Sequence, residues 1–292
     1  MRIAIVGAGN VGTAFAILLR KAGHDIVGIT SRSETSAAKA GIRLGVEYGT
    51  EPATFSRHAE VVFLTTPDRN IANVCDAIAS AGGFVSGSIV AHTSGAYSSA
   101  ILKEASLYGA MPISFHPLQT FANIEAGIKN LPGSFITVEG QEEALPAARQ
   151  LIRDLACHPL EITTAEKPLY HAAACIVCNY FVTLMEYGLQ VMEAAGVDRK
   201  EGLPALYPLI EATLNNIKHE GTVQSLTGPI ARGDNDTVKS HLDAISEKIP
   251  QAEVLYRLLG LATVEIATVK GTLREDSRFE LLKILEMSTD EK

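Results

Sequence analysis

The sequence predicts an α/β protein, a doubly wound parallel sheet in the first half followed by an all-helical second half. Three observations predict it. A strand, a glycine turn and a helix open the chain. Short apolar runs then alternate with helix-length segments as far as residue 162. From residue 163 onward nearly every segment has helical apolar spacing. The expected division is therefore residues 1–162, a nucleotide-binding domain, and residues 163–292, a helical domain.

The opening carries the most information. Ile3-Ala4-Ile5-Val6 reads as a buried strand, Gly7-Ala8-Gly9-Asn10-Val11-Gly12 as a turn, and residues 13–22 as a helix closed by Gly23. In this G-x-G-x-x-G arrangement Gly7 permits a tight turn, Gly9 lets a pyrophosphate approach the backbone, and Gly12 lets the helix pack on the strand. The N–H groups at the helix start, those of Asn10 and Val11 among them, and the helix dipole then face the phosphates.

Residues 25–30 read as the second strand, and Ser31-Arg32-Ser33 stands at its end. An NAD site places an acid here to hold the ribose 2′-hydroxyl, about twenty residues past the glycines. A guanidinium and two hydroxyls suit a 2′-phosphate instead. The expected cofactor is NADP, with Arg32 as discriminator and Ser31 and Ser33 as donors.

The chain has 292 residues, 47% hydrophobic and 20% charged, with a net charge of −8. That composition supports real cores. Without a basic stripe, nucleic acid is excluded as a partner. Residues 169–184 come nearest to a membrane span but contain His171 and Asn179 and start beside Pro168, so no membrane partner is expected. The chain opens on a strand rather than a signal peptide. Cys75, Cys157, Cys175 and Cys178 form no disulfide framework, which suits a reducing cytoplasm.

The remaining elements follow in order. Residues 33–40 read as a helix, 46–48 as a short strand, and 60–65 as a buried strand. Asp68 caps a helix through residue 81. A strand at 89–92 and a helix at 95–106 come next. Strands at 112–115 and 134–138 complete the parallel sheet, and 145–155 is a helix. The helical half contains 168–195, 200–220, 234–249, 251–272 and 278–287, and residues 288–292 are expected to fray.

In such a sheet ligands bind beyond the carboxyl ends of the strands. Thr65, Thr66 and Pro67 follow one strand and line the nicotinamide ribose, while Asp68 serves chiefly as a helix cap. His92-Thr93-Ser94-Gly95 follows the next, and Ser94 at a helix start suits a carboxylate or oxyanion; Thr93 is assigned to the cofactor. His116 and Gln119 follow the next and reach a pocket.

The first long helix gives a second signal. Lys167, His171, Ala174 and Cys178 share one face within about 60° at 3.6 residues per turn. A Lys and a His on an otherwise apolar helix need partners, because burying an unpaired charge is costly. A substrate supplies one, with Lys167 or His171 handling a proton and Asn179 orienting the substrate. A third signal is Leu226-Thr227-Gly228-Pro229-Ile230-Ala231-Arg232-Gly233-Asp234. Arg232 is a candidate clamp for an anionic substrate, and Asp234 caps the next helix. Cys175-x-x-Cys178 has no second pair and reads as small hydrophobes rather than zinc ligands. His92, His116 and His171 are the alternative, a three-His metal site.

Together these motifs carry a resemblance. The N-terminal G-x-G-x-x-G, Ser31-Arg32-Ser33, Thr66-Pro67-Asp68 and the change to helix near residue 163 resemble the 6-phosphogluconate dehydrogenase superfamily. That group includes β-hydroxyacid dehydrogenases, ketopantoate reductase and pyrroline-5-carboxylate reductase. His92-Thr93-Ser94-Gly95, residues 114–121, Lys167-Pro168-x-Tyr170-His171-Ala172-Ala173 and residues 226–234 resemble an uncharacterised family of Rossmann-type proteins with a C-terminal domain of unknown function. The resemblance implies a Rossmann domain, a 6-phosphogluconate dehydrogenase C-terminal-like helical domain, an NADP-dependent oxidoreductase and a homodimer formed through the helices. In β-hydroxyacid dehydrogenases a catalytic Lys is followed four residues later by Asn; here His171 stands at that spacing from Lys167, so the Asn role falls to His171 or Asn179 or is lost. The expected function is hydride transfer between NADP(H) and a small, anionic carbonyl, imine or hydroxy compound. The alternatives are a non-catalytic NADP sensor and the metal-dependent enzyme.

Overall fold

A computed structural model of the protein describes residues 1–286; the expected helix end at Met287 and the fraying of 288–292 lie outside the described residues. The chain divides into two compact units, Met1–Val177 and Cys178–Lys292.

The first unit holds an eight-stranded sheet in the order β3-β2-β1-β4-β5-β6-β7-β8. Its strands are β1 Arg2–Val6, β2 Asp25–Thr30, β3 Tyr48–Gly49, β4 Val61–Leu64, β5 Ile89–His92, β6 Met111–Pro117, β7 Phe135–Gly140 and β8 His158–Glu161. The helices of this unit are α1 Asn10–Lys21, α2 Glu34–Leu44, α3 Ala53–Ser56, α4 Ile71–Ser80, α5 Lys103–Leu107, α6 Ile124–Asn130, α7 Leu145–Asp154 and α8 Lys167–Val177. Strands β4 and β5 are buried end to end and β1 from Ile3 onward, as a sheet covered by helices on both faces requires.

Register decides what meets at the carboxyl end. Val6 pairs with Thr30 on one side and Leu64 on the other, Leu64 with His92, and His92 with Ser114. The residues after these positions therefore emerge side by side at the point where strand order reverses around β1. Below them Phe15 of α1, Phe63 of β4 and Phe115 of β6 pack edge to face, with centroids 5.2–6.0 Å apart. This aromatic cluster supports the floor of the site.

Several expectations need correction. The sheet is not wholly parallel, because β7 runs antiparallel to β6. The connection between them spends its helix, α6, against α1 rather than crossing the sheet: a Cβ on Gly127 would lie 3.2 Å from the Ala14 methyl. Strand β8 was not anticipated; His-Pro-Leu-Glu is exposed throughout, and its proline suits the edge position that β8 holds. The helix expected at 95–106 is a turn, then a 3-10 turn at Ser99–Leu102, then α5. The hydroxyl of Ser94 accepts the Ala96 and Tyr97 N–H groups at 3.1 and 3.2 Å and so competes with helix formation. The helix expected over 168–195 is broken at Cys178. Its first piece, α8, belongs to the α/β unit, because Thr164 just before it and Tyr170 within it bond to sheet residues.

The second unit contains α9 Asn179–Ala194, α10 Arg199–Gln224, α11 Pro229–Arg232, α12 Asn235–Lys248, α13 Glu253–Lys270 and α14 Glu275–Leu285. Val238, Leu242, Val264, Leu281 and Leu285 from α12, α13 and α14 form its core. Helix α10 breaks at Gly221, whose φ is +79°, and buries only Gly202. An apolar cavity of about 520 Å³ in this unit is lined by Leu184, Tyr187, Leu206, Leu255 and Tyr256 among others. One helical run among the described residues, Thr164–Ala194, is long and apolar enough by length and composition to cross a membrane, with a mean hydropathy of 1.4. The buried Lys167 stands near its start.

Candidate functional site

The three glycines of the turn meet different surroundings. Gly7 has φ +122°, and a Cβ there would sit 2.6 Å from the Thr65 carbonyl. A Cβ on Gly12 would sit 2.1 Å from the Gly7 carbonyl and 2.3 Å from the Thr65 hydroxyl. Gly9 alone of the three opens onto free space. No side chain caps α1 and no acid stands in its first turn, so the N–H groups of Asn10, Val11 and Gly12 are free for an anion. Residues of this kind fit a dinucleotide pyrophosphate. Thr65 donates its hydroxyl to the Gly7 carbonyl at 2.8 Å and so fixes the turn to β4. Thr66 has a buried hydroxyl with no partner, beside the exposed Pro67. Thr93 stands on the same rim, its N–H donating to the Leu64 carbonyl at 3.3 Å.

At the end of β2, Ser31 is partly buried and Arg32 exposed. Ser33 caps α2 by accepting the Ser36 N–H at 3.4 Å. The three thus stand where strand hands over to helix, with the Arg32 guanidinium free to turn toward a ligand. Asn10 does something the sequence did not suggest: its side-chain amide donates to the carbonyls of Phe121 and Ala122 at 2.9 and 3.3 Å. It ties the loop after β6 to the glycine turn. Gln119, expected at the pocket, instead donates to the Asn130 carbonyl at 3.1 Å within that loop.

A second group of polar side chains lies beyond β5, β6 and β7. Lys167 has 0% relative exposure, and its Nζ has no hydrogen-bond partner. Burial brings it down to about 8, with Glu139 and Asp68 pulling the other way. His171 stands one turn on; its Nε2 lies 3.6 Å from the Cys175 sulfur, while its buried Nδ1 has no partner. That Nδ1 and the Nε2 of His116 crowd Gly95, where a Cβ would fall 2.3 and 2.8 Å from them. The two rings meet edge to face with centroids 5.9 Å apart. His116 also bonds through Nδ1 to the Tyr170 hydroxyl at 2.9 Å.

Burial first, then the Lys167 charge, pushes His116 down to about 3 and His92 down to about 4. His92 Nδ1 accepts the Ser94 N–H at 3.2 Å, which leaves its Nε2 orphaned; Ser114 and Thr137 have orphaned buried hydroxyls too. Unpaired buried polar atoms are uncommon and costly, and five of them fall on β5, β6, β7 and α8.

Other expectations shift. Asp68 makes no cap bond; its carboxylate accepts the Ser94 hydroxyl at 2.7 Å. The Ser94 oxygen is therefore committed within the protein. Among the described residues no group of three His, Cys, Asp or Glu side chains is arranged to hold a metal. His92, His116 and His171 are thus not gathered as the three-His site. Asn179 and Arg232 belong to the second unit, and both are exposed. Asp234 caps α12 as expected, accepting the Thr237 N–H at 3.1 Å. Tyr170, Ser114, Thr137 and Glu139 were missed. Tyr170 and Ser114 stood inside quoted motifs; Thr137 and Glu139 lie on an ordinary-looking strand.

Two domain-family models match the chain. Residues 1–117 match the Rossmann-like domain, and residues 134–263 match a domain of unknown function, DUF2520. The chain joins a Rossmann-like domain to a DUF2520 domain. The polar cluster draws on both: His92, Ser94 and His116 come from the Rossmann-like segment, and Glu139, Lys167, Tyr170 and His171 from the DUF2520 segment. No curated protein matches the chain in sequence.

Solved structures share the fold. A Thermotoga maritima protein is 26% identical over 92% of this chain and 99% of its own, with a TM-score of 0.73. A reductive aminase from Aspergillus terreus, solved with NADPH and ethyl levulinate, is 17% identical over 96% and 98%, with a TM-score of 0.65. A pyrroline-5-carboxylate reductase from Coxiella burnetii is 13% identical over 98% and 98%, with a TM-score of 0.59. The expected architecture, a Rossmann-like domain followed by a helical region, is the one observed.

The depressed histidines fix a pH dependence. Unfolded, His92 and His116 titrate near 6.5; folded, they titrate near 4 and 3. Between those values the unfolded chain binds more protons, so stability falls as pH drops below about 6.5. Urea midpoints measured from pH 7 to pH 5 are expected to decline, and the decline is expected to shrink in His116→Gln. An equal decline in both proteins contradicts the assignment.

Proposed function

We propose that the protein is an NADP(H)-dependent oxidoreductase acting on a small carbonyl, imine or hydroxy compound. The observation that carries this reading is the buried, unpartnered Nζ of Lys167, in the same unit as a glycine turn whose Gly9 side is open. Gly7, Gly9 and Gly12 with the α1 N-terminus would hold the pyrophosphate, Thr65, Thr66, Pro67 and Thr93 the nicotinamide side, and Ser31, Arg32 and Ser33 the 2′-phosphate. When bound, the cofactor supplies or accepts the hydride.

The chain's own groups deal with the proton and the substrate. Lys167, brought down to about 8, is an ammonium at neutral pH that gives up its proton readily to a developing alkoxide or amine. His171 is the alternative donor, through the Nδ1 that faces Gly95. Tyr170 holds the His116 ring, and His116, kept neutral, stands against His171 without adding charge. The sequence motifs further suggest Arg232 for an anionic substrate group and Asn179 for orienting the substrate; both are residues of the second unit. The four free cysteines fit a cytoplasmic setting.

A homodimer is part of the reading. Helix α10 leaves Leu203, Tyr207, Leu209, Leu214 and Ile217 exposed, more apolar side chain than a lone helix sustains in water. A second copy that covers them supplies the missing burial.

Titration calorimetry tests the cofactor. The wild type is expected to prefer NADPH to NADH, and Arg32→Ala to lose most of that preference, about tenfold or more for one charge-assisted phosphate contact. Failure to bind either nucleotide contradicts the oxidoreductase reading. Sedimentation tests the assembly: a dimer is expected, and Leu209→Asp with Leu214→Asp is expected to yield a folded monomer. A monomeric wild type contradicts the dimer.

A further inference from the structure

We infer that Glu139 is the positioning residue of this site: its carboxylate clamps the lead-in of α8 to the sheet, and its buried charge, without direct contact, favours the ammonium form of Lys167 as the ready proton source. The inference rests on the oxidoreductase reading for the fate of that proton.

Glu139 projects from β7 and is 3% exposed. Its oxygens accept the Ser99 N–H at 2.6 Å, the Ser99 hydroxyl at 2.9 Å and the Thr164 hydroxyl at 2.9 Å. The three bonds join β7, the turn after β5 and the lead-in to α8. Thr164 is three residues before Lys167, so the clamp acts on the backbone that aims the lysine. The donors bond to both oxygens, one to Oε1 and two to Oε2, and stabilise the carboxylate as an anion. The Lys167 ammonium is the cation this buried charge favours. It too is buried, and no carboxylate lies within ion-pair distance of it among the described residues.

The charged and titratable groups around Lys167 come from the sheet end and from its own helix, where His171 also stands one turn on. Asp68 comes from the turn after β4, His92 from β5, His116 from β6 and Glu139 from β7, and Tyr170 of its own helix presents its ring 5.8 Å from Nζ. The His92 and His116 imidazoles and the phenol are neutral, and the phenol is raised further by burial. Of the two carboxylates, Asp68 is exposed to water, which screens it, and is bonded to Ser94. Glu139 is shielded, so its field reaches Lys167 with less loss. Burial drives the lysine proton off, and Glu139 is the main force that keeps it on.

Carbon NMR of protein labelled at lysine Cε, with Lys167 assigned by its loss in Lys167→Met, reads this directly without a substrate. The Lys167 signal is expected to titrate near 8 in the wild type. In Glu139→Gln, which keeps the shape and an acceptor, the midpoint is expected to fall by about one pH unit, a tenfold loss of proton affinity. A folded Glu139→Gln with an unmoved midpoint overturns the inference. If that variant does not fold, glutamate-labelled wild type decides: one carboxyl resonance is expected to shift with the Lys167 midpoint and lose that step in Lys167→Met, and its absence overturns the inference. NADPH binding is measured on the same samples and is expected to be alike in wild type and Glu139→Gln. A wild type that binds no NADPH fails the oxidoreductase reading, while the lysine midpoint still reports on Glu139.

Discussion

The arrangement of the site turns on one constraint: an ammonium group has been taken out of water and given no hydrogen-bond partner. Lys167 is fully buried at the first turn of α8. An uncompensated buried charge is among the costliest features a fold can carry. Its neighbours are set by it. His92 and His116 stay neutral partly because Lys167 is near, and Glu139 and Asp68 supply the opposing charge. The lead-in to α8 is held accordingly, by a capping box in which Glu166 accepts both the N–H and the hydroxyl of Thr163, at 3.1 and 2.9 Å.

The sheet makes this placement possible. Strand register brings the ends of β1, β4, β5 and β6 together, and the three-phenylalanine cluster below keeps that end rigid. The glycine turn and the polar cluster are then two parts of one sheet end rather than separate sites. Asn10 connects them further: the residue that begins α1 also holds the Phe121–Ala122 backbone. An anion bound at the α1 N-terminus would therefore bear on the loop that follows His116.

Much of this was legible in the sequence, for identifiable reasons. The three glycines are diagnostic because each needs a missing Cβ for a different contact. Lys167 and His171 stood out because polar groups on an apolar helix need an explanation. What escaped notice depends on long-range pairing. The antiparallel direction of β7 is decided by where α6 packs, which no local pattern encodes. Strand β8 has no apolar signal because it is an exposed edge. Ser94 was read as a helix start, but its hydroxyl takes the local N–H groups for itself. Glu139 looked like one acid on a strand; its importance appears only when β7, Ser99 and Thr164 are brought together. Asn179 and Arg232 were singled out by the same polar-on-apolar and unpaired-charge reasoning, and both are exposed residues of the second unit.

The most direct test of the account is NADPH consumption, followed by its absorbance, against a panel of small ketones, keto acids and cyclic imines. Wild type and Lys167→Met are compared at equal cofactor saturation. The account predicts turnover of at least one of these compounds by the wild type. It predicts a loss on the order of a hundredfold or more in Lys167→Met, the usual worth of a positioned proton donor, with fold stability no lower than wild type because the buried charge is gone. Turnover in Lys167→Met equal to that of the wild type would contradict it.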